Sequence, residues 1–213
     1  MRVRVKICGI TRLEDVLSAV RAGADAVGFV FHRSSPRYVS PEKAGEIARE
    51  LPPFVDRVGV FVDAEPAQVY EVAELARLSV LQFHGHESPD YCTGWALPVV
   101  KAFRVGPEFS PADLRAFREV AAVLLDGYHG SAPGGTGTRC DWETARRVAR
   151  ERCVVLAGGL TPENVAEAVR TVRPYAVDVS SGVEVKPGIK DPVRVAAFVR
   201  AVRRACEELS SES

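Results

Sequence analysis

The feature that most restricts this chain is a repeated pair. A short apolar run is followed, three to fifteen residues on, by a helix opening, eight times over. The runs span 3–8, 26–31, 58–62, 80–83, 99–103, 122–126, 153–157 and 175–179. Openings follow at Thr11, Ser40-Pro41, Glu65-Pro66, Ser88-Pro89, Ser110-Pro111, Asp141-Trp142, Thr161-Pro162 and Asp191-Pro192. Six of the eight carry proline at the first helical position, where its missing N–H costs nothing. Seven carry Ser, Thr or Asp in place to cap the helix. A run such as Ala26-Val27-Gly28-Phe29-Val30-Phe31 is apolar throughout, as in a strand covered on both faces, which favours a parallel sheet under helices. Eight strands alternating with eight helices predict an α/β fold, a (β/α)8 barrel, and 213 residues lie near the lower size limit for one. An open doubly wound sheet is the rival, but Cys8-Gly9-Ile10-Thr11 does not match its glycine-rich first turn.

The alternation continues without a linker, so one domain over 1–213 is expected. The loop Ser131-Ala132-Pro133-Gly134-Gly135-Thr136-Gly137-Thr138 lies inside a strand-to-helix connection and reads as a mobile active-site loop. Thr11-Arg12-Leu13-Glu14 reads as a capping box, with Leu13, Val16, Leu17 and Val20 as the inward stripe of the first helix. Net charge is zero, which gives no electrostatic case for nucleic acid or an acidic membrane. No apolar run approaches the ~20 residues of a membrane span. Met1-Arg2-Val3-Arg4 moves straight into a strand with no secretory signal. Five cysteines, an odd number without metal-like spacing, fit a reducing, cytoplasmic setting. Lysine stands only at 6, 43, 101, 186 and 190, the other basic residues being arginine, and composition does not say why.

In a barrel the chemistry sits at the carboxyl ends of the strands. Those ends carry Cys8, His84, Arg104 or Lys101, Asp126, Gly158-Gly159, and Asp178 with Ser180-Ser181-Gly182. As a thiolate Cys8 is a candidate base, and as a carboxylic acid Asp126 is a candidate proton donor, with a loop cap as its plainer role. Asp178 lies between Val177 and Val179, so parity turns it into the barrel, where either Lys6 or a substrate would pair with it. The small residues after strands seven and eight, Gly158, Gly159, Ser180, Ser181 and Gly182, let backbone N–H groups close on a phosphate. Tight turns alone would also call for such glycines. Arg37, in the loop after strand two, suits a two-pronged bond to a carboxylate or else lies in solvent. His84 either binds substrate or caps a turn. His84 and His86 lack matching carboxylate and histidine partners on neighbouring strands, so no metal is expected.

An ordered set of segments resembles the phosphoribosylanthranilate isomerase family of tryptophan biosynthesis. It includes Val5-Lys6-Ile7-Cys8-Gly9-Ile10-Thr11, Ser35-Pro36-Arg37-Tyr38-Val39-Ser40, Gln82-Phe83-His84-Gly85, Gly134-Gly135-Thr136-Gly137, Leu156-Ala157-Gly158-Gly159-Leu160 and Asp178-Val179-Ser180-Ser181-Gly182-Val183-Glu184. Phe83 stands where the family more often has leucine, and Cys140 where it more often has phenylalanine. The resemblance implies an Amadori rearrangement of N-(5′-phosphoribosyl)anthranilate without metal or organic cofactor. Cys8 then matches the general base and Asp126 the general acid. The implied partner is this small-molecule substrate, with monomer and homodimer both open. A sugar-phosphate epimerase would need metal ligands on several strand ends. Indole-glycerol-phosphate synthase would need a lysine and glutamates there in place of Cys8 and Asp126. A non-catalytic phosphosugar-binding barrel would have no need to keep that pair.

Overall fold

A computed structural model describes residues 2–106, 109–127 and 141–211. The apolar runs become eight parallel strands: β1 (Arg4–Cys8), β2 (Ala26–Val30), β3 (Asp56–Phe61), β4 (Val80–Phe83), β5 (Val99–Val105), β6 (Ala122–Gly127), β7 (Val154–Leu156) and β8 (Ala176–Val179). They follow one another around a closed barrel, and β1 pairs with both β2 and β8. The predicted strand count and closure are therefore observed.

The register sets one parity of every strand toward the barrel axis. Lys6 lies beside Ala26 and Asp178, Val60 beside Gln82, Arg104 beside Asp126, and Leu124 beside Val155. The opposite parity, with Ile7, Val27, Phe29, Phe83, Leu125 and Val177, is buried beneath the outer layer and forms the main core. Inside the barrel a second, smaller apolar cluster joins Ala102, Ala122, Leu124, Val155, Ala157 and Ala176. Small side chains suit this position, because eight strands leave only a narrow interior.

The outer layer departs from eight equal helices. Six α-helices are described: α1 (Leu13–Ala22), α2 (Pro41–Arg49), α3 (Pro66–Leu75), α4 (Trp142–Ala149), α5 (Val165–Val172) and α6 (Pro192–Ser211). After β5 the expected helix is a 3-10 segment, Pro111–Phe117, opened by a capping box between Ser110 and Asp113. After β4 the helix expected from Ser88-Pro89 is only a turn. Tyr91 and Trp95 fill its place by packing on Phe83, with ring centroids 5.1 and 5.4 Å away. The capping box expected at Thr11 is also absent. Arg12 is the residue before α1, and the Thr11 hydroxyl donates to the Gly188 carbonyl in the hairpin of β9 (Glu184–Lys186) and β10 (Ile189–Lys190). Leu17 faces outward, and Asp15 is buried in its stead. The 131–138 loop and Cys140 lie outside the described residues.

Asp25 closes the amino-terminal end. Its carboxylate accepts the Val5 N–H at 2.9 Å and the Arg203 guanidinium at 2.9 Å, and also meets Arg2. One side chain thus joins β1 and α6 ahead of β2. Burial alone would raise the Asp25 pKa, but the Val5 N–H and the two arginines outweigh it and hold the carboxyl below its ordinary value. A carboxyl depressed on folding adds stability above its unfolded pKa of about 3.9, and that stability is lost as pH falls through the folded value. Asp25→Ala should therefore lose about 1.5–3 kcal/mol near neutral pH, the scale of hydrogen bonds to a charged group. Urea unfolding of both proteins should show the gap narrowing well below pH 4, and a gap independent of pH would contradict the charged role.

Candidate active site

At the carboxyl ends of the strands a single cleft is lined by Cys8, Arg37, His84, Asp126, Gly158, Gly159, Asp178, Ser180, Ser181 and Gly182. All ten were nominated from the sequence. Of the two candidates on strand five, Arg104 lines the cleft. Lys101 has the other parity and is buried below the rim, where its ammonium meets Glu87 at 2.9 Å and the Gly85 carbonyl at 2.8 Å.

Cys8 ends β1 and is 8 % exposed. The neighbouring strand makes room for it at Gly28, where an added Cβ would lie 2.7 Å from the thiol sulfur. Burial pushes the Cys8 thiol pKa up. The nearby Lys6 ammonium pulls it down, Asp178 works against Lys6, and the net shift is upward. Lys6 itself donates to Asp178 Oδ2 at 3.1 Å and to Gln82 Oε1 at 3.0 Å. Burial pulls the Lys6 pKa down, but Asp178 and Cys8 more than restore it, so the ammonium is retained. Lys6 is thus the partner expected for Asp178. The other oxygen of Asp178, Oδ1, has no hydrogen-bond partner among the described residues.

Asp126 ends β6, with Oδ1 accepting the Gly127 N–H at 2.9 Å. Its Oδ2 lies 3.3 Å from His84 Nε2, but the approach lacks hydrogen-bond geometry, and Nε2 has no hydrogen-bond partner among the described residues. His84 Nδ1 is 3.0 Å from Gln82 Nε2. The turn-cap reading of His84 finds no support in these contacts.

Arg37 is not in solvent. Its Nε and Nη2 grip Glu184 at 2.9 and 2.7 Å, which fixes the guanidinium on the rim with further N–H groups to spare. Glu184 also accepts from Lys190 at 2.7 Å. Burial would raise the Glu184 pKa, but Arg37 and Lys190 hold the carboxyl below its ordinary value. Lys190 reaches on toward Ser180, so one buried carboxylate ties the arginine loop to the loop after β8.

The small residues divide by cause. Gly158, at φ +82°, would place a Cβ 2.1 Å from the Gly127 nitrogen, and Gly182 would place one 1.9 Å from the Leu160 oxygen. Backbone packing alone demands glycine at both. Gly159 has φ +63° and lines the cleft.

Sequence reading missed Gln82, Glu184 and Lys190. Gln82 was detectable, since it shares the inward parity of His84 two residues on. Glu184 and Lys190 carry no local signal, because their partners come from distant loops.

A family model described as N-(5′-phosphoribosyl)anthranilate (PRA) isomerase matches residues 5–201. The N-(5′-phosphoribosyl)anthranilate isomerase of Geobacter sp. strain M21 is 56% identical over 202 residues, covering 94% of this chain and 98% of the relative. Phosphoribosyl anthranilate isomerase from Thermotoga maritima superimposes with a TM-score of 0.88 at 47% identity, covering 95% of this chain and 99% of that one. A structure of such an isomerase in complex with reduced 1-(o-carboxyphenylamino)-1-deoxyribulose 5-phosphate gives a TM-score of 0.84 at 46% identity, with 95% and 99% covered.

The environment of Cys8 makes a measurable demand. Its alkylation by iodoacetamide, followed by peptide mass spectrometry, should rise with pH about a midpoint above the ordinary thiol value of 9.0. A midpoint at or below that value would show that Lys6 outweighs burial.

Proposed function

The chain belongs to the N-(5′-phosphoribosyl)anthranilate isomerase family, and we propose that Cys8 and Asp126 carry the two proton transfers of its reaction. The enzyme is an isomerase of tryptophan biosynthesis. It converts N-(5′-phosphoribosyl)anthranilate, an aminoaldose, into 1-(2-carboxyphenylamino)-1-deoxyribulose 5-phosphate, an aminoketose. One carbon is reduced while its neighbour is oxidised, so electrons balance within the substrate and only protons must be moved.

The chemistry assigns each proton to a residue type. Opening the furanose needs a proton on the ring oxygen, which suits Asp126 as a carboxylic acid. The resulting iminium acidifies the C2′ hydrogen, which suits Cys8 as a base. The enolamine then tautomerises to the ketone. The observation that carries this reading is the placement of Cys8 on β1 and Asp126 on β6, at one cleft but on separate strands. Two targets on one substrate call for such a separation.

The remaining contacts fit the substrate's charges. Arg37, braced by Glu184, takes the anthranilate carboxylate with its unused N–H groups. Gly159, Ser180 and Ser181 line the side that takes the phosphate, with Gly182 letting the loops after β7 and β8 close on each other and Gly158 letting the first of them pack on Gly127. His84 and Asp178 face the sugar between them. Beyond the small-molecule substrate, nothing in the charge balance calls for nucleic acid, and no helix among the described residues is long and apolar enough to cross a membrane. A cytoplasmic enzyme accords with the family's biosynthetic reaction.

A homodimer is the assembly this surface fits. Phe54, in the loop after α2, is fully exposed and has φ +68°, a strained conformation for a residue other than glycine. At the same end of the barrel a mainly apolar cavity is lined by Val58, Val80, Pro98, Val100 and Ala122. A phenylalanine from a second copy suits that cavity in chemistry. A related isomerase from Thermotoga maritima, 44% identical to this chain, is itself described as dimeric.

Cys8→Ser keeps the shape of the site but replaces the thiol with a hydroxyl that scarcely ionises. Single-turnover assays of substrate consumption should show kcat down by about 10²–10⁴-fold with KM little changed, the scale of one general base. Asp126→Asn should be comparably impaired, and the two losses should not multiply fully. A Cys8→Ser enzyme close to wild type in kcat would remove Cys8 from the mechanism. For assembly, Phe54→Glu should convert a sedimenting dimer to monomer while leaving circular dichroism unchanged. Wild-type protein that sediments as a monomer would rule the dimer out.

A further inference from the structure

Between Cys8 and Asp126 the barrel interior carries a run of polar contacts that neither proton transfer uses. Lys6 Nζ meets Asp178 Oδ2 at 3.1 Å and Gln82 Oε1 at 3.0 Å. Gln82 Nε2 lies 3.0 Å from His84 Nδ1, and His84 Nε2 lies 3.3 Å from Asp126 Oδ2. Lys6 and Gln82 are 6 % and 2 % exposed, so water does not compete for these bonds.

The order of donors along this run follows from its first member. An ammonium has three N–H groups and no lone pair, so whatever faces it must accept. Gln82 therefore turns its carbonyl oxygen to Lys6, which leaves its amide N–H to face His84. An amide N–H needs a lone pair opposite, so Nδ1 of His84 is the bare nitrogen. The ring proton then sits on Nε2, the nitrogen beside Asp126 that has no hydrogen-bond partner among the described residues. Asp126 Oδ1 is already taken by the Gly127 N–H, so Oδ2 is the oxygen left to receive a donor.

We propose that Lys6 and Gln82 are positioning residues that hold His84 as its Nε2–H tautomer, so that His84 presents a donor to Asp126 Oδ2. This rests on the role proposed above for Asp126. As Asp126 passes its proton to the ring oxygen, negative charge grows on its carboxyl. A donor standing 3.3 Å from Oδ2 closes on it and gains strength as that charge grows, so its contribution falls on the transition state.

The test is ¹⁵N NMR of the protein labelled at histidine, with the His84 signals assigned by their loss in His84→Gln. In wild-type protein Nδ1 should show the shift of a bare, pyridine-like nitrogen and Nε2 that of a protonated one. Gln82→Glu has nearly the same shape but offers two acceptors, one to Lys6 and one to His84. It should reverse the bond and put a proton on Nδ1. Its kcat should fall on the order of 10²-fold with KM nearly unchanged, the scale of losing one preorganised donor. A protonated Nδ1 in wild type would overturn the proposal, and that spectrum needs no variant to fold. So would a bare Nδ1 in Gln82→Glu, or a reversed tautomer with unchanged kcat. The spectrum does not depend on turnover. If Asp126 is not the acid, Asp126→Asn will stay active while the wild-type tautomer remains as expected.

Discussion

An ammonium in the middle of a barrel is the constraint around which the rest of this interior is arranged. Withdrawing a charge of that size from water costs several kcal/mol unless good acceptors surround it. Asp178 and Gln82 supply them for Lys6, from β8 and β4, so three strands are bound to one group. The pairing also divides the barrel by height. On one side lie Ala102, Ala122, Leu124, Val155 and Ala176, packed as one apolar cluster. On the other lies the cleft, where the same ion pair sets the field at Cys8. Because Lys6 and Asp178 oppose each other there, burial decides the thiol's shift.

Lys6 is not alone in kind. Of the five lysines, Lys6, Lys101 and Lys190 are buried, each against one carboxylate: Asp178, Glu87 and Glu184. Lys101 also meets the Gly85 carbonyl, and Lys190 approaches Ser180. Lys6 draws its acceptors from two strands, Lys101 from the 83–87 turn and Lys190 from 180–184, and such enclosed sets suit a compact, rotatable ammonium better than a planar guanidinium. Three of the five lysines thus mark enclosed sites, while Lys43 and Lys186 are exposed. The scarcity of lysine was visible in the sequence, where it reads only as composition. Its meaning depends on which segments fold together, and no local pattern carries that.

The same division separates what the sequence disclosed from what it did not. Strand ends were legible because inward parity is a local property: Cys8 and Asp178 sit on the expected face, and His84 and Asp126 at the expected strand ends. Prolines marked helix openings well at Pro41, Pro66 and Pro192. The failures share a cause. Thr11 has the residues of a capping box, yet its hydroxyl bonds Gly188, 177 positions away. Ser88-Pro89 has the residues of a helix start, yet Tyr91 and Trp95 do better by covering Phe83 than by continuing a helix. In both places a distant contact outbids a local preference of about 1 kcal/mol. The glycines show the converse. Gly158 and Gly182 were singled out for a phosphate, and close backbone packing accounts for them on its own.

The upward shift at Cys8 bears on the base role proposed for it. Each unit of rise removes about tenfold of the thiolate present at neutral pH, equal to 1.36 kcal/mol. Basicity moves the other way, because a thiolate that is harder to form takes a proton more readily once formed. The rate per ionised enzyme rises by only a fraction of the population lost, so a very high shift would still be costly. Lys6 limits it. Without the ammonium, burial and Asp178 would act in the same direction on the thiol. Without Asp178, Lys6 would lose the partner that keeps it charged in the interior. For the proposed base role, the pair thus opposes the rise that burial imposes on Cys8 without reversing it.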